Sequence, residues 1–224
     1  MRFKDVFSII GPDMVGPSSS HTAGAVRIGR AARQLFGSQP NEAKITLYQS
    51  FADTYRGHGT DVALAAGLLD WGTQDERIPQ ALHHAAEQGL IIDYVRAGGG
   101  AVGVYHPNTA KLKLQSDSCT MLVTGSSIGG GNIEIVGIDH FDIRFTCLYP
   151  TLAIFHVDRM GVLADITREI SKFSLNIGHM DVDRTGRSGE ALTVIEADGE
   201  IEKELIDSIN AIEGIRLIRV VDLT

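Results

Sequence analysis

The last third of the chain changes periodicity in a fixed order, and that order limits the folds it can reach. Leu152-Ala153-Ile154-Phe155-His156-Val157 reads as a strand, and Gly161-Val162-Leu163 opens a helical stretch with Ile166 and Ile170 on one face. Asn176 to Asp183 and Ala191 to Glu196 read as strands joined by a turn through Thr185-Gly186-Arg187-Ser188-Gly189. A second helix fits Glu202 to Ile212, with Leu205, Ile206 and Ile209 apolar, and a closing strand fits Ile215 to Val221. Strand, helix, strand, strand, helix, strand is the result.

That βαββαβ order belongs to the ferredoxin-like superfold, which hosts many unrelated functions. The composition shifts near Leu148-Tyr149-Pro150, where a glycine-rich region gives way to the compact alternation, so the expected domains are 1–147 and 148–224. The fold class expected is α+β. With 224 residues, of which 43% are hydrophobic, the chain is long enough for two small cores. It carries 28 acids against 20 Lys plus Arg, a formal net charge of -8, and no basic tract, which argues against nucleic acid as a partner. The apolar stretch after Met1-Arg2-Phe3-Lys4-Asp5 stops at Gly11-Pro12-Asp13, short of a membrane span or signal peptide, so the expectation is a cytoplasmic protein with no membrane partner.

The first domain mixes helices and strands. Ala23 to Phe36 suits a helix, with Ala25, Ile28, Ala32 and Leu35 as the apolar stripe and Arg27, Arg30 and Arg33 toward another face. Before it lies Gly16-Pro17-Ser18-Ser19-Ser20-His21-Thr22-Ala23-Gly24, whose hydroxyls can cap the helix and whose free N–H groups can meet an anion such as a carboxylate. His21 can exchange a proton near neutral pH, and Arg27 or Arg30 can add positive charge. The plainer alternative is that the serines only cap, His21 is solvated and the arginines form an ordinary polar face.

Tyr55-Arg56-Gly57-His58-Gly59-Thr60-Asp61 precedes a helix expected over Val62 to Asp70, with Thr60 or Asp61 as its cap. Thr124-Gly125-Ser126-Ser127-Ile128-Gly129-Gly130-Gly131-Asn132 reads as a loop between a strand at Met121-Leu122-Val123 and another at Ile133-Glu134-Ile135-Val136. Gly98-Gly99-Gly100 and Tyr105-His106-Pro107-Asn108 read as further turns. No loop ends in Gly-Lys-Ser/Thr, so a nucleotide site has no support, and no Gly-x-Ser-x-Gly elbow marks a serine hydrolase. The only cysteines are Cys119 and Cys147, which excludes a disulfide framework, a structural zinc site and a four-iron cluster held by this chain alone.

Asp158-Arg159-Met160-Gly161-Val162-Leu163 followed by Leu175-Asn176-Ile177 resembles the ACT domain, a module that often senses amino acids. The resemblance implies a regulatory ligand at Arg159, Gly161, Val162, Leu163, Asn176 and Ile177. The alternative is a domain that only dimerises. Gly11 through Gly24, Gly57-His58-Gly59-Thr60-Asp61, His106-Pro107-Asn108 and Ser127-Ile128-Gly129-Gly130-Gly131, with the ACT-like region after them, resemble the beta chain of bacterial iron-sulfur-dependent L-serine dehydratases. This likeness spans the whole chain and is strongest in Ser18-Ser19-Ser20-His21-Thr22.

The family resemblance implies an N-terminal domain like the allosteric-substrate-binding domain of some phosphoglycerate dehydrogenases. It implies a partner alpha subunit whose cysteines hold a 4Fe-4S cluster, no metal ligands on this chain, and conversion of L-serine to pyruvate and ammonia. It makes His21 the candidate proton-transfer residue and Ser19, Ser20, Thr22, His58, Ser127 and Gly130 candidates for substrate contact, with self-association through the ACT domain. A different class fits the same motifs: a non-catalytic amino-acid sensor that reports occupancy to another partner.

Overall fold

The computed structural model describes residues 13–97, 106–186 and 189–224. Gly98-Gly99-Gly100, Tyr105, the segment through Gly11-Pro12, and Arg187-Ser188 lie outside the described residues. The chain divides into two compact units that meet between Asp139 and His140.

The first unit is a five-stranded sheet with helices. Its strands are β1 (Glu42–Leu47), β2 (Ile91–Arg96), β3 (Thr109–Gln115), β4 (Thr120–Gly129) and β5 (Asn132–Ile138). They lie in the order β2-β1-β3-β4-β5; β1 and β2 are parallel and every other pair is antiparallel. The helices are α1 (Gly24–Phe36), α2 (Gln49–Thr54), α3 (Thr60–Leu68) and α4 (Ala81–Glu87). Ala25, Ile28, Ala32 and Leu35 are fully buried, as the stripe required, and α1 lies on β4 with α3 against α1. The two helices cross where both lack a side chain. A Cβ on Gly29 would stand 2.5 Å from the Leu64 carbonyl oxygen, and one on Gly67 would strike the Val26 carbonyl.

Three local expectations need correction. β4 runs through Gly125, Ser126 and Ser127 to Gly129, so the turn is only Gly130-Gly131. Glycine and serine hide strand character, but pairing with β3 on one side and β5 on the other overrides propensity, and the Thr109 and Ser126 hydroxyls meet across the ladder at 2.8 Å. The helix predicted from Val62 starts at Thr60 instead. Neither Thr60 nor Asp61 caps it; the cap position is Gly59, at φ 68°, with no capping side chain.

The second unit has the predicted order: β6 (Thr151–Val157), α5 (Val162–Lys172), β7 (Asn176–Arg184), β8 (Glu190–Asp198), α6 (Lys203–Asn210) and β9 (Ile215–Val221). Its sheet runs β7-β8-β6-β9 with every neighbouring pair antiparallel. Leu152, Ile154 and Ile195 pack on Val162, Ile166 and Ile170 of α5 and on Leu205 and Ile209 of α6.

The boundary falls earlier than the composition shift because His140 to Cys147 packs with this unit. Phe141, Ile143, Phe145 and Cys147 alternate as buried residues, and the Phe141 ring stands 6.2 Å from Phe155. The intervening backbone N–H groups are taken by carboxylates: Asp142 donates to Asp183 at 2.8 Å, Arg144 to Asp181 at 2.8 Å and Thr146 to Glu196 at 3.1 Å. Leu192, Val194 and Glu196 alternate with the residues that face the helices, so this strap covers the second face of the sheet and β8 is buried on both sides.

Glu196 is the deepest clip, because the Thr146 hydroxyl also donates to it at 2.7 Å and the residue is 4% exposed. Glu196→Ala leaves two donors unpaired and is expected to cost about 2–3 kcal/mol. Urea unfolding of the full chain checks this; an unchanged midpoint would show that the strap does not depend on the carboxylate.

Candidate functional site

The serine-rich loop is itself helical. Ser19–Ala23 forms a wide π-type turn running into α1: Ala23 N–H donates to the Ser18 carbonyl at 3.4 Å, and Gly24 N–H donates to the Ser19 carbonyl. Such turns often stand at functional sites, because the extra residue displaces side chains from the regular helical surface. Ser18 is the cap, extended at φ -142°, and its hydroxyl accepts the His21 N–H at 3.1 Å. The capping reading therefore holds for Ser18 alone. Ser19 and Ser20 are half-buried, and among the described residues their hydroxyls have no hydrogen-bond partner.

His21 stands among groups from three segments. Its Nδ1 lies 3.4 Å from the Ser18 hydroxyl and its Nε2 lies 3.0 Å from the Ser50 hydroxyl on α2. The ring meets Phe51 edge-on, with centroids 5.4 Å apart, and meets His58 likewise at 4.9 Å. Thr22 is 2% exposed and gives its hydroxyl proton to the His58 carbonyl at 3.1 Å, which ties the turn to the loop before α3. The first turn of α3 is held from the other side by the half-buried Tyr94, whose hydroxyl donates to the Asp61 carbonyl at 2.7 Å. Burial pushes the Tyr94 phenol well above the usual value, so it stays a donor.

A further segment reaches the same region. The Phe51 N–H donates to the Pro107 carbonyl at 3.4 Å, and the Asn108 carbonyl accepts the Ser127 N–H at 2.9 Å. The Ser127 hydroxyl is buried without a hydrogen-bond partner among the described residues and packs directly on Gly24. His21, Thr22 and His58 thus form one cluster, and Ser127 adjoins its helix. Gly130 sits in the β4–β5 turn and takes no part in the cluster's hydrogen bonds or ring contacts. Arg30, expected to add charge to the loop, is paired instead with Asp70 at 2.9 Å.

In the second unit, Arg159 is engaged by its own turn, by α5 and by the segment before β9. It donates to the Glu213 carbonyl at 2.9 Å, to the Met160 carbonyl at 3.2 Å and to Asp165 at 2.6 Å. Gly161, at φ 85°, takes the left-handed conformation at the start of α5, where no side chain caps the helix. Val162 is buried in the core, Leu163 and Ile177 pack against it, and Asn176 donates to Asp198 at 2.9 Å.

Burial, and secondly the neighbouring His58, lower the His21 pKa below the ordinary 6.5. The imidazole is therefore neutral near pH 7 and can accept a proton. Because the folded value is the lower one, stability contributed here is present above about pH 6.5 and is lost as the pH falls through the folded-state value. Among the described residues no cluster of three or more His, Cys, Asp or Glu could hold a metal ion, and no helix is long and apolar enough to cross a membrane. Cys119 is exposed in the first unit and Cys147 buried in the second. These residues do not fit a 4Fe-4S cluster.

Fold and site together define a two-unit α+β protein with a histidine-containing helix-start site in one unit and a ferredoxin-like module in the other. Residues 3–93 match the serine dehydratase beta chain family, and residues 151–214 match the ACT domain. The chain is 45% identical to the probable L-serine dehydratase beta chain of Bacillus subtilis, over 96% of each chain. It is 33% identical to the L-serine dehydratase beta chain of Peptoniphilus asaccharolyticus, over 92% of this chain and 93% of that one. A D-3-phosphoglycerate dehydrogenase of Bacillus subtilis is 29% identical over 53% of this chain and 22% of its own length. The chain belongs to the L-serine dehydratase beta chain family.

Ser50 and Phe51 were not legible as site residues: no motif marks them, and only the fold carries α2 to His21. The His58 contribution to the His21 pKa is open to test. His58→Gln is expected to raise the His21 titration midpoint part of the way to 6.5, since burial remains the larger cause. NMR titration of the ring-labelled chain measures it; a wild-type midpoint at or above 6.5, or no rise in the variant, would contradict the arrangement.

Proposed function

We propose that this chain is one subunit of a two-chain cytoplasmic L-serine ammonia-lyase, and that Ser18 to Thr22 forms its wall of an active site shared with an alpha subunit. The partner carries the 4Fe-4S cluster. The reaction removes the α-proton and β-hydroxyl of L-serine; the aminoacrylate formed becomes an imine and hydrolyses to pyruvate and ammonia. His21 is the proton-transfer residue. The observation that carries this reading is its setting: a partly buried imidazole held between two hydroxyls and edge-on to a second imidazole, its pKa lowered by that burial.

The His58 ring, edge-on to His21, adds to the burial that keeps the His21 imidazole neutral and able to accept a proton. Ser19 and Ser20 keep hydroxyls available for the substrate's carboxylate or ammonium, and Ser127 is a further candidate contact. Thr22 acts through His58, whose carbonyl it holds. Gly130 is the weakest of the proposed contacts.

His21→Ala in the assembled two-chain enzyme is expected to lower kcat about a hundredfold or more while leaving subunit association intact. Steady-state pyruvate release measures it. Near-normal turnover would reduce His21 to a structural residue and would favour the non-catalytic amino-acid sensor.

For the ACT domain we propose regulation by L-serine or a related amino acid, with self-association through an edge of its sheet. Arg159 holds the turn, Val162 and Ile177 support it from the core side, and the uncapped start of α5 at Gly161 and Leu163 presents backbone N–H groups to a carboxylate beside Asn176. Calorimetry with L-serine and sizing of the full chain should show binding linked to assembly. No heat, with an unchanged monomer, would remove the proposal.

A further inference from the structure

We infer that Ser50 is a positioning residue of the reaction: its hydroxyl holds the Nε2 side of His21 and lets the imidazole change protonation state without losing its orientation. The inference rests on the proton-transfer role proposed for His21.

A neutral imidazole has one donor and one acceptor nitrogen, whereas an imidazolium has two donors. A ring that moves protons therefore needs partners able to switch between giving and accepting. Hydroxyls do this by rotating, and His21 has one on each nitrogen: Ser18 at 3.4 Å from Nδ1 and Ser50 at 3.0 Å from Nε2. Ser18 already accepts the His21 backbone N–H, so its rotation is constrained by the capping bond. Ser50 makes no other side-chain hydrogen bond among the described residues. It is the freer partner. A carboxylate at this position would raise the pKa of the imidazole and keep it protonated; a hydroxyl does not.

The backbone around Ser50 is arranged for this contact. Gln49 precedes it at φ 42°, a left-handed conformation that is unfavourable for a non-glycine residue and persists only where surrounding contacts impose it. Here they are the Tyr48 N–H to the Thr109 carbonyl at 3.1 Å, the Phe51 N–H to the Pro107 carbonyl at 3.4 Å, and the Thr54 hydroxyl to the Ser50 carbonyl at 2.8 Å. The sharp entry into α2 sets the Ser50 hydroxyl on Nε2 and the Phe51 ring against the imidazole edge, so both coordinates of the ring are fixed from one helical turn. Among the described groups facing His21, namely Ser18, Ser50, Phe51 and His58, only His58 can carry charge.

The test compares Ser50→Ala and Ser50→Thr in the two-chain enzyme with the same variants of the full chain studied by NMR. Losing the Nε2 partner removes a hydrogen bond to the charged form, so the His21 midpoint of Ser50→Ala should move to lower pH. Its kcat should fall roughly ten- to a hundredfold with little change in KM. Ser50→Thr keeps the hydroxyl and should restore both. A Ser50→Ala variant with an unmoved His21 midpoint and normal kcat overturns the inference, as does a Ser50→Thr variant no better than alanine. The titration reads Ser50 without any turnover, so failure of the wider proposal would be seen separately, as His21→Ala retaining activity while the midpoint still responds to Ser50.

Discussion

Two helix starts must come together for the first unit to present anything reactive. The crossing at Gly29 and Gly67 lets α1 and α3 approach to backbone distance, and the Thr22 hydroxyl on the His58 carbonyl at 3.1 Å joins the segments that lead into them. The His21–His58 contact follows from this, while Ser50 and Phe51 reach the imidazole from α2. His21 and His58 meet edge-on because their loops are tied there, and the desolvation that keeps His21 neutral comes from the same convergence. Substituting either crossing glycine would push the helices apart and separate the imidazoles before touching their chemistry.

The second unit solves a different problem. A ferredoxin-like sheet covers one face with its own helices and leaves the other to be covered. Here the chain does so with the segment entering the module, alternating apolar side chains inward and giving its backbone N–H groups to Asp181, Asp183 and Glu196. Carboxylates that a linear reading would put on a solvated face are ladder partners for a strap.

Much of this was legible in the sequence, and the exceptions share a cause. The second unit's order followed from periodicity, and the element ends read there fall within about two residues of the observed ones, because each strand and helix carries its own apolar pattern. The Ser18 to Thr22 turn was legible as a helix start, since hydroxyls before an apolar stripe have few other meanings. The extent of β4 was not, because Gly125, Ser126 and Ser127 become strand only through neighbours distant in sequence. The strap was missed for the same reason, and so was Ser50, whose value lies in a partner twenty-nine positions away. Arg30 erred the other way: its spacing suggested the loop, but Asp70 claims it.

On the proposed function, this chain contributes half of an active site. It supplies imidazoles and hydroxyls on a rigid pair of helix starts, while its two cysteines and described side chains do not fit an iron-sulfur cluster. The direct measurement is anaerobic pyruvate formation from L-serine by the purified chain alone and after co-expression with a cysteine-rich companion chain. The expected result is no turnover and no stoichiometric cluster for the chain alone, and both for the pair. Robust turnover by this polypeptide without a companion would contradict it.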